Sequence, residues 1–181
     1  MSPPNLPRIP LAQAERIATV VAERLDPLCS RIAIAGSIRR RRQSVGDIDL
    51  VVIPRDLAAL VARLNQSTRL VSGKDSNQIR IMTVPKLGDV QLDIFVAHEG
   101  KSGLFGGQPG NWGSLLLCRT GSPRHNIRIC ARAKENGFSW HPYQGVKNAQ
   151  GDIIVSETEE QIYAALGLPF IDPINREVPN F

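Results

Sequence analysis

Two aspartates one residue apart, Asp47 and Asp49, are the side chains in this sequence best placed to do chemistry. The segment Asp47–Ile53 has the pattern of a buried strand, bounded by Gly46 and Pro54. Residues two apart on a strand point to the same face, so the two carboxylates are expected side by side. Adjacent anions repel each other unless a cation neutralises them. Because hard carboxylate oxygens suit Mg²⁺, the pair predicts a divalent-metal site.

A third carboxylate fits the same site. Asp93 stands alone in the middle of the apolar segment Val90–Val96, and an aspartate inside a strand is disfavoured unless it has a partner. Three acids on neighbouring strands could hold two metal ions, the arrangement used for in-line phosphoryl and nucleotidyl transfer. The structural alternative is that Asp47 belongs to a turn and that the other two acids pair with nearby arginines.

The segment before the two acids is suited to binding phosphate. Gly36 follows the predicted strand Arg31–Ala35, and glycine there allows a positive φ and the close approach of a ligand. The Ser37 hydroxyl and exposed N–H groups can hold phosphate oxygens. The run Arg39–Arg42 follows and offers planar guanidinium forks, although such a run can also be a solvated face. Its position between turn and acids favours phosphate beside a metal site, as a nucleoside triphosphate requires.

The hydrophobic pattern predicts the elements that position these residues. In the first half we expect helices at 11–28 and 56–65 and strands at 31–35, 47–53, 78–84 and 89–96, with a turn at Lys86–Asp89. The glycine-rich stretch 101–113 is expected to be a connecting loop. After it we expect helices at 112–118, 122–137 and 157–166 and strands at 138–141 and 153–155.

Composition narrows the class of protein. The 181 residues carry a net charge of +5, which favours a polyanionic partner. The cysteines and histidines lack the spacing of metal ligands, and an odd number of cysteines argues against a disulfide scaffold. No apolar run reaches membrane-spanning length, so we expect no membrane association and a cytoplasmic location, in a host cell if the source is viral. The cysteines and histidines without metal-ligand spacing are Cys29, Cys118, Cys130, His98, His125 and His141.

Taken together, the motifs resemble those of the family X DNA polymerases. The pattern Gly-Ser-x-Arg-Arg from Gly36, then Gly-Asp-x-Asp from Gly46, then the distant Asp93 is similar to the nucleotidyltransferase palm of that family. The segment 112–126, with Thr-Gly-Ser and a later asparagine, and the ending 159–171 resemble its nucleotide-selecting subdomain. The resemblance covers about residues 11–177. It implies an α+β fold, with a palm of mixed β-sheet and packed helices at 1–98 and a small α+β C-terminal subdomain at 99–181.

The resemblance also implies roles for individual residues. Asp47, Asp49 and Asp93 would be the catalytic acids and would hold two Mg²⁺ ions, with Mn²⁺ as the alternative, and Asp93 matches the position that contacts the primer 3′-hydroxyl. The positions that match nucleotide contacts are Gly36, Ser37, Arg40, Gly46, Thr120, Gly121 and Asn126. The basic residues expected to meet DNA are Arg39, Arg41, Arg124 and Arg128.

The sequence departs from the family pattern at positions that affect selectivity. Cys118 and Arg119 stand where many members have an aromatic pair, Cys130 where they have a template-facing arginine, and Gln91 where an arginine often precedes the third acid. These changes predict weakened sugar discrimination and weakened template guidance. We also expect no amino-terminal lyase domain and no helix-hairpin-helix fingers, so the chain resembles the minimal viral form of the family.

The predicted function is DNA-directed synthesis of DNA in short gaps, at low fidelity and as part of repair. We expect a monomer that uses gapped or primed DNA and deoxynucleoside triphosphates, with a DNA ligase as a further partner. One alternative is a template-independent terminal transferase, or a nucleotidyltransferase that acts on RNA or on a small acceptor. An alternative of another class is a DNA-binding module without catalysis, whose sign would be a missing acid.

Overall fold

A computed structural model describes residues 8–66, 69–72, 78–82, 90–101 and 107–177 of the chain. The chain divides into two compact units, Met1–Val96 and Ala97–Phe181. The elements of the first unit are β1 (Ile9–Pro10), α1 (Leu11–Leu25), β2 (Cys29–Ile34), α2 (Gly36–Arg39), β3 (Ser44–Val45), β4 (Asp47–Pro54), α3 (Leu57–Asn65), β5 (Arg69–Ser72), β6 (Gln78–Met82) and β7 (Gln91–Val96). Those of the second unit are α4 (Trp112–Thr120), α5 (Pro123–Glu135), β8 (Ser139–His141), β9 (Gly145–Lys147), β10 (Ile153–Val155) and α6 (Glu159–Ala165).

The first unit is built on a five-stranded sheet in the order β2-β4-β7-β6-β5. The central pair, β4 and β7, runs parallel, whereas the other neighbouring strands are antiparallel. A parallel pair requires a crossover connection, and here the chain between the two strands includes α3, β5 and β6. The predicted mixed sheet is confirmed, and its one parallel pair joins the two strands that carry the aspartates.

Helix α1 covers one face of this sheet. Its apolar residues recur at helical spacing, and Ala14 and Ala18 are fully buried in one hydrophobic cluster with Ile48 and Leu50 of β4 and Ile94 of β7. Alternate residues of a strand point to opposite faces. The even-numbered residues of β4 therefore face α1, and the odd-numbered Asp residues of both strands face the opposite side.

The second unit packs its helices against a three-stranded antiparallel sheet in the order β10-β9-β8. Its core includes Leu117, Ile129 and Tyr163, all almost completely buried. Helix α5 begins as predicted, with Ser122 as N-cap and Pro123 in the first turn. Helix α6 begins with a capping box in which the Thr158 and Gln161 side chains satisfy each other's backbone N–H groups.

Several element boundaries differ from the sequence-based expectation. The first helix ends at Leu25, and a 3₁₀ turn, Asp26–Leu28, completes the segment around Pro27. The predicted turn at Gly36 is the start of a short helix, and the strands β1, β3, β5 and β9 were not anticipated. The turn predicted at Lys86–Asp89 lies outside the described residues. Within the part of the chain that the structure describes, no helix is long and apolar enough to cross a membrane.

Candidate active site

The three aspartates converge at one point on the sheet. Asp49 on β4 stands directly opposite Asp93 on β7 in the parallel register, and Asp47 lies two residues earlier on the same face. Each contributes one carboxylate oxygen to a group in which all three atoms lie within 4.8 Å of one another. Asp93 is buried, and Asp47 and Asp49 are half-buried. Three acids this close repel one another when ionised, and a shared divalent cation relieves that repulsion.

Gln91 belongs to the same cluster. Its Nε2 donates a hydrogen bond of 3.1 Å to Oδ2 of Asp93, as their spacing of two residues on β7 permits. The resemblance implies that an arginine often stands at this position in the family, so glutamine here contacts the third acid without a positive charge. The amide donates to the carboxylate and orients it, but it brings no positive charge to offset the negative charge of the acids.

Gly36 is required by the position of Asp49. Its φ of +59° lies in the left-handed region, and a Cβ added there would lie 1.9 Å from Oδ2 of Asp49. The backbone also joins these segments, because Ala35 donates its N–H to the Asp49 carbonyl at 2.8 Å. Glycine therefore leaves the space that the Asp49 carboxylate occupies; the predicted positive φ is confirmed, and the group that approaches the backbone is this carboxylate.

Ser37 has an unsatisfied buried oxygen. In the described part of the chain, its Oγ is buried and has no hydrogen-bond partner. A buried hydroxyl without a partner costs about 1–3 kcal/mol, and such atoms in native proteins call for an explanation. A ligand oxygen that accepts from the hydroxyl would supply one, which fits the phosphate role expected for this residue.

The four-arginine run is not uniform. Arg39 and Arg40 are half-buried, whereas Arg41 and Arg42 are exposed. Arg41 adopts a positive φ of 60° and forms an ion pair with Glu15 of α1. Part of its charge is therefore neutralised within the first unit. The structure separates two partly enclosed guanidinium groups from two that face solvent.

Arg8 is a member of this region that sequence reasoning missed. Its Nε donates to Ser44 Oγ at 3.0 Å. Its guanidinium also lies close to Gly46: a Cβ added to that glycine would be 3.3 Å from Arg8 Nη1. The pairing of β1 with β3 brings Arg8 beside this loop. A two-residue strand has too weak a pattern to be recognised from sequence.

In the second unit, the predicted nucleotide contacts surround the turn between α4 and α5. Thr120 and Gly121 are buried, and Gly121 has a φ of 70°. Ser122 donates its hydroxyl to the Arg176 carbonyl at 2.7 Å. Asn126 donates Nδ2–H to the Cys118 carbonyl at 2.8 Å. This contact satisfies one of the carbonyls that the end of α4 leaves without a helical partner.

The residues expected to affect selectivity have specific surroundings. Burial raises the pKa of the Cys118 thiol, although Arg119 opposes the shift, so the thiol is neutral near pH 7. The Arg119 guanidinium donates to the Tyr143 hydroxyl at 3.1 Å and lies 5.9 Å from the centre of its ring. On α5, burial raises the pKa of Cys130, with Lys134 opposing. Two neutral thiols therefore stand at positions where the resemblance implies an aromatic residue and an arginine in many members of the family.

The expected DNA contacts of α5 share one exposed side. Arg124 and Arg128 are exposed and lie four residues apart, so they are neighbours on the helix surface. Ile127, between them, has 67% of its surface exposed. This side of α5 combines positive charge with an apolar side chain, a composition compatible with a nucleic-acid backbone.

Sequence reasoning also missed a set of buried polar residues in the second unit. The Arg176 and Glu159 side chains form an ion pair of 2.7 Å and are 0% and 4% exposed. His125 and Tyr163 form a second buried contact, through a hydrogen bond of 2.6 Å. The signal that could have found them is the presence of charged and polar residues at positions of an apolar period, which in a buried setting requires partners.

Comparisons with known proteins agree for both units. Residues 7–100 match the DNA polymerase beta palm family, and residues 115–177 match the DNA polymerase beta thumb family. The chain is 29% identical over 174 residues to the DNA polymerase/3′-5′ exonuclease PolX of Bacillus subtilis, covering 94% of this chain and 29% of that protein. It is 27% identical over 200 residues to the DNA polymerase lambda of Rattus norvegicus, covering 96% of this chain and 33% of that protein.

A solved structure has the same fold. The structure is the ternary P/T complex of Leishmania infantum polymerase beta, which matches with a TM-score of 0.75 at 17% sequence identity, covering 96% of this chain and 78% of that one. At this identity the similarity establishes the fold. The chain spans no more than about a third of the length of the two curated relatives, so their other activities do not transfer to it.

Proposed function

The chain belongs to the family X DNA polymerases, the family of DNA polymerase beta, and we propose that it is a DNA-directed DNA polymerase that extends a primer 3′-hydroxyl across short gaps. The observation that carries the proposal is the convergence of Asp47, Asp49 and Asp93, whose carboxylate oxygens lie within 4.8 Å of one another. The reaction joins the primer 3′-oxygen to the α-phosphorus of a deoxynucleoside triphosphate. The bond between that phosphorus and the oxygen that bridges it to the β-phosphate breaks, pyrophosphate leaves, and the proton of the 3′-hydroxyl passes to solvent.

The donor set fits a divalent-cation site. Three hard carboxylate oxygens, one of them on a buried side chain, suit Mg²⁺, with Mn²⁺ as the alternative ion. The Asp49 carboxylate can reach this cluster because residue 36 has no Cβ to displace it. When bound, two such ions would supply an activated 3′-oxygen and neutralise the charge on the leaving pyrophosphate. Asp47, Asp49 and Asp93 would hold them.

The remaining residues of the first unit bind and orient the triphosphate in this proposal. The unsatisfied Ser37 Oγ donates to a phosphate oxygen, which removes the cost of a buried hydroxyl without a partner. Arg40, half-buried and three residues later in the chain, contributes a guanidinium fork to the β- and γ-phosphates. Gln91 holds the carboxylate of Asp93 in place through its hydrogen bond.

The second unit selects the nucleotide and contacts DNA in this proposal. Asn126 contacts the incoming nucleotide, and the exposed Arg124 and Arg128 bind phosphates of the DNA backbone. The neutral thiols at positions 118 and 130 leave more room and less charge than the family pattern provides, which supports low fidelity. Filling a gap ends with a nick, which a polymerase cannot seal, so a DNA ligase is the partner that repair requires. We propose a monomer located in the cytoplasm, or in the host cytoplasm if the source is viral.

Template-independent addition of nucleotides is the second candidate. Cys130 carries no guanidinium to hold a template strand, and it lies half-buried on α5. A polymerase without that contact could extend a primer end regardless of the opposite base. The two candidates share every step at the three acids and differ only in whether a templating base is needed.

The test is incorporation of single deoxynucleotides into a one-nucleotide gap in the presence of Mg²⁺. The four nucleotides are supplied separately, on substrates that carry each templating base and on a primer without template. Preference for the complementary nucleotide supports the gap-filling polymerase, and equal use without template supports the terminal transferase. No incorporation with Mg²⁺ or Mn²⁺ by a folded protein that binds DNA would overturn both in favour of a binding module.

A further inference from the structure

His125 lies in the core of the second unit, although its ring is polar. The His125 side chain is 0% exposed and Tyr163 is 1% exposed. The ring Nε2 lies 2.6 Å from the Tyr163 hydroxyl, and the two ring centres are 5.9 Å apart. A buried imidazole is costly unless its nitrogens have hydrogen-bond partners. Tyr163 supplies one of these partners.

The other ring nitrogen faces the proposed nucleotide contact. His125 Nδ1 lies 3.4 Å from Asn126 Oδ1, which makes a long hydrogen bond. The opposite end of the same amide donates through Nδ2 to the Cys118 carbonyl at 2.8 Å. Turning the amide over would bring its oxygen against that carbonyl oxygen, and two acceptors at this distance repel each other. The Cys118 carbonyl therefore fixes which end of the amide faces His125.

This orientation also fixes the tautomer of the ring. An amide oxygen can only accept, so the contact with Asn126 requires the proton on Nδ1. In a neutral ring Nε2 is then an acceptor, and the Tyr163 hydroxyl donates to it. The hydrogen bonds run in one direction, from Tyr163 to His125, from His125 to Asn126, and from Asn126 to the Cys118 carbonyl.

We propose that His125, supported by Tyr163, is a positioning residue that fixes the Asn126 amide for contact with the incoming nucleotide. The inference rests on the proposed function and deepens it, because it names residues outside the expected site. An amide nitrogen carries two N–H groups. The Cys118 carbonyl takes one of them, and the Cys118 Sγ, a weak acceptor that a nucleotide oxygen can displace, lies 3.8 Å from the same nitrogen. With the amide oxygen held by His125, the second N–H has a fixed direction in which to meet the nucleotide.

The expected kinetic effect follows from the strength of one neutral hydrogen bond. Replacing His125 with phenylalanine keeps a ring of similar size and removes the donor to Asn126. The loss should raise KM for the nucleotide about 3- to 10-fold, the range that one such bond supplies, and leave kcat within about twofold. His98→Phe is the matched control, because it makes the same substitution at an exposed histidine, and it should leave both constants unchanged.

A double-mutant cycle separates positioning from general packing. Asn126→Ala should raise KM at least as much as His125→Phe, and the double variant should be no worse than Asn126→Ala alone. Tyr163→Phe removes only the hydroxyl, should raise KM about 2-fold, and should also have no effect in the Asn126→Ala background. If His125→Phe does not fold, Tyr163→Phe tests the proposal in its place. Folded variants with the wild-type KM, or effects that persist in full without Asn126, would overturn the proposal.

The tautomer gives a readout that does not depend on activity. In the wild-type protein the ¹⁵N resonances of His125 should show the proton on Nδ1, and the Asn126 side-chain amide resonances should shift in His125→Phe. A neutral ring with its proton on Nε2 would contradict the hydrogen-bond direction and overturn the inference. If the wild-type protein incorporates no nucleotide while these resonances behave as expected, the proposed function fails and the positioning of Asn126 stands.

Discussion

The two units of this molecule position their polar residues in different ways. In the first unit, strand geometry alone puts Asp47 and Asp49 on one face, and a single parallel pairing adds Asp93. In the second unit, the polar side chains are held by buried contacts between residues far apart in sequence, such as Arg176 with Glu159. The first arrangement concentrates like charge at a candidate metal site, whereas the second pairs opposite charges in the core of the unit. The comparison predicts opposite responses to substitution.

The largest expected effect comes from removing one of the three acids. Asp49→Asn and Asp93→Asn each remove a negative charge from the cluster, and incorporation on gapped DNA should fall at least about 1,000-fold, since such charge stabilisation is worth several kcal/mol. The folded state should lose no stability in metal-free buffer and should gain some, because repulsion is relieved. Incorporation assays and thermal melts measure the two effects.

The control for the acids is Asp26→Asn, which alters an exposed acid of the same unit and should change neither quantity. Near-normal incorporation by either folded active-site variant would end the assignment of these acids. A large loss of stability would mean instead that the cluster is structural and that arginines neutralise it.

Removing a charged partner in the second unit should instead lower the stability of the protein. Arg176→Met leaves Glu159 buried without its ion-pair partner, and breaking such a pair costs about 3–5 kcal/mol. Urea or thermal unfolding should show this loss. Adding Glu159→Leu should restore much of the stability, because an apolar pair of similar volume replaces the ion pair. If Arg176→Met alone is as stable as the wild-type protein, the ion pair does not hold this unit together.

The sequence predicts more of the polar arrangement in the first unit than in the second, and the reason is physical. A strand has a period of two, so the shared face of Asp47 and Asp49 is a local property. The order of strands is not local, and the pairing of β4 with β7 rather than with a neighbour in sequence had to be supplied by the resemblance. The helices with strong periodicity, such as α1, were found to within a few residues, but their ends depend on local breakers such as Pro27.

The sequence can indicate that polar residues are buried in the second unit, but it does not indicate which residues pair with each other. His125 and Tyr163 are 38 positions apart, and nothing near either residue indicates the other. The pairing of Arg41 with Glu15 is equally non-local, so the sequence assigned Arg41 to DNA and gave no sign of this ion pair. The structure divides the arginine run because the backbone reverses at Arg41, which adopts a left-handed conformation.

Glycine 36 offers a sharper test of the first unit. Gly36→Ala puts a methyl group where Oδ2 of Asp49 lies, and so displaces the carboxylate. A displacement of about 1 Å in a catalytic group can cost about 100-fold in rate.

Gly137→Ala is the matched control, because Gly137 also has a positive φ, of 76°, and a Cβ there meets nothing within 4 Å. Both variants should lose about 1 kcal/mol or more of stability, and only Gly36→Ala should lose activity. Equal activity losses would show that backbone strain, not the Asp49 contact, explains the glycine.

The smallest expected effect concerns the sugar of the nucleotide. Cys118 presents a small, half-buried thiol with a raised pKa, 3.8 Å from Asn126 Nδ2, so neither bulk nor negative charge opposes a 2′-hydroxyl. A pocket without such an obstacle discriminates weakly, and the preference for deoxyribonucleotides in kcat/KM should stay below about 10⁴-fold. Cys118→Tyr adds bulk and should increase this preference about 10-fold, whereas Cys118→Ser keeps the size and should leave it unchanged.

The measurement is kcat/KM for matched deoxyribonucleotide and ribonucleotide on one gapped substrate. A wild-type preference above about 10⁴-fold, or no response to tyrosine, would place the sugar gate elsewhere.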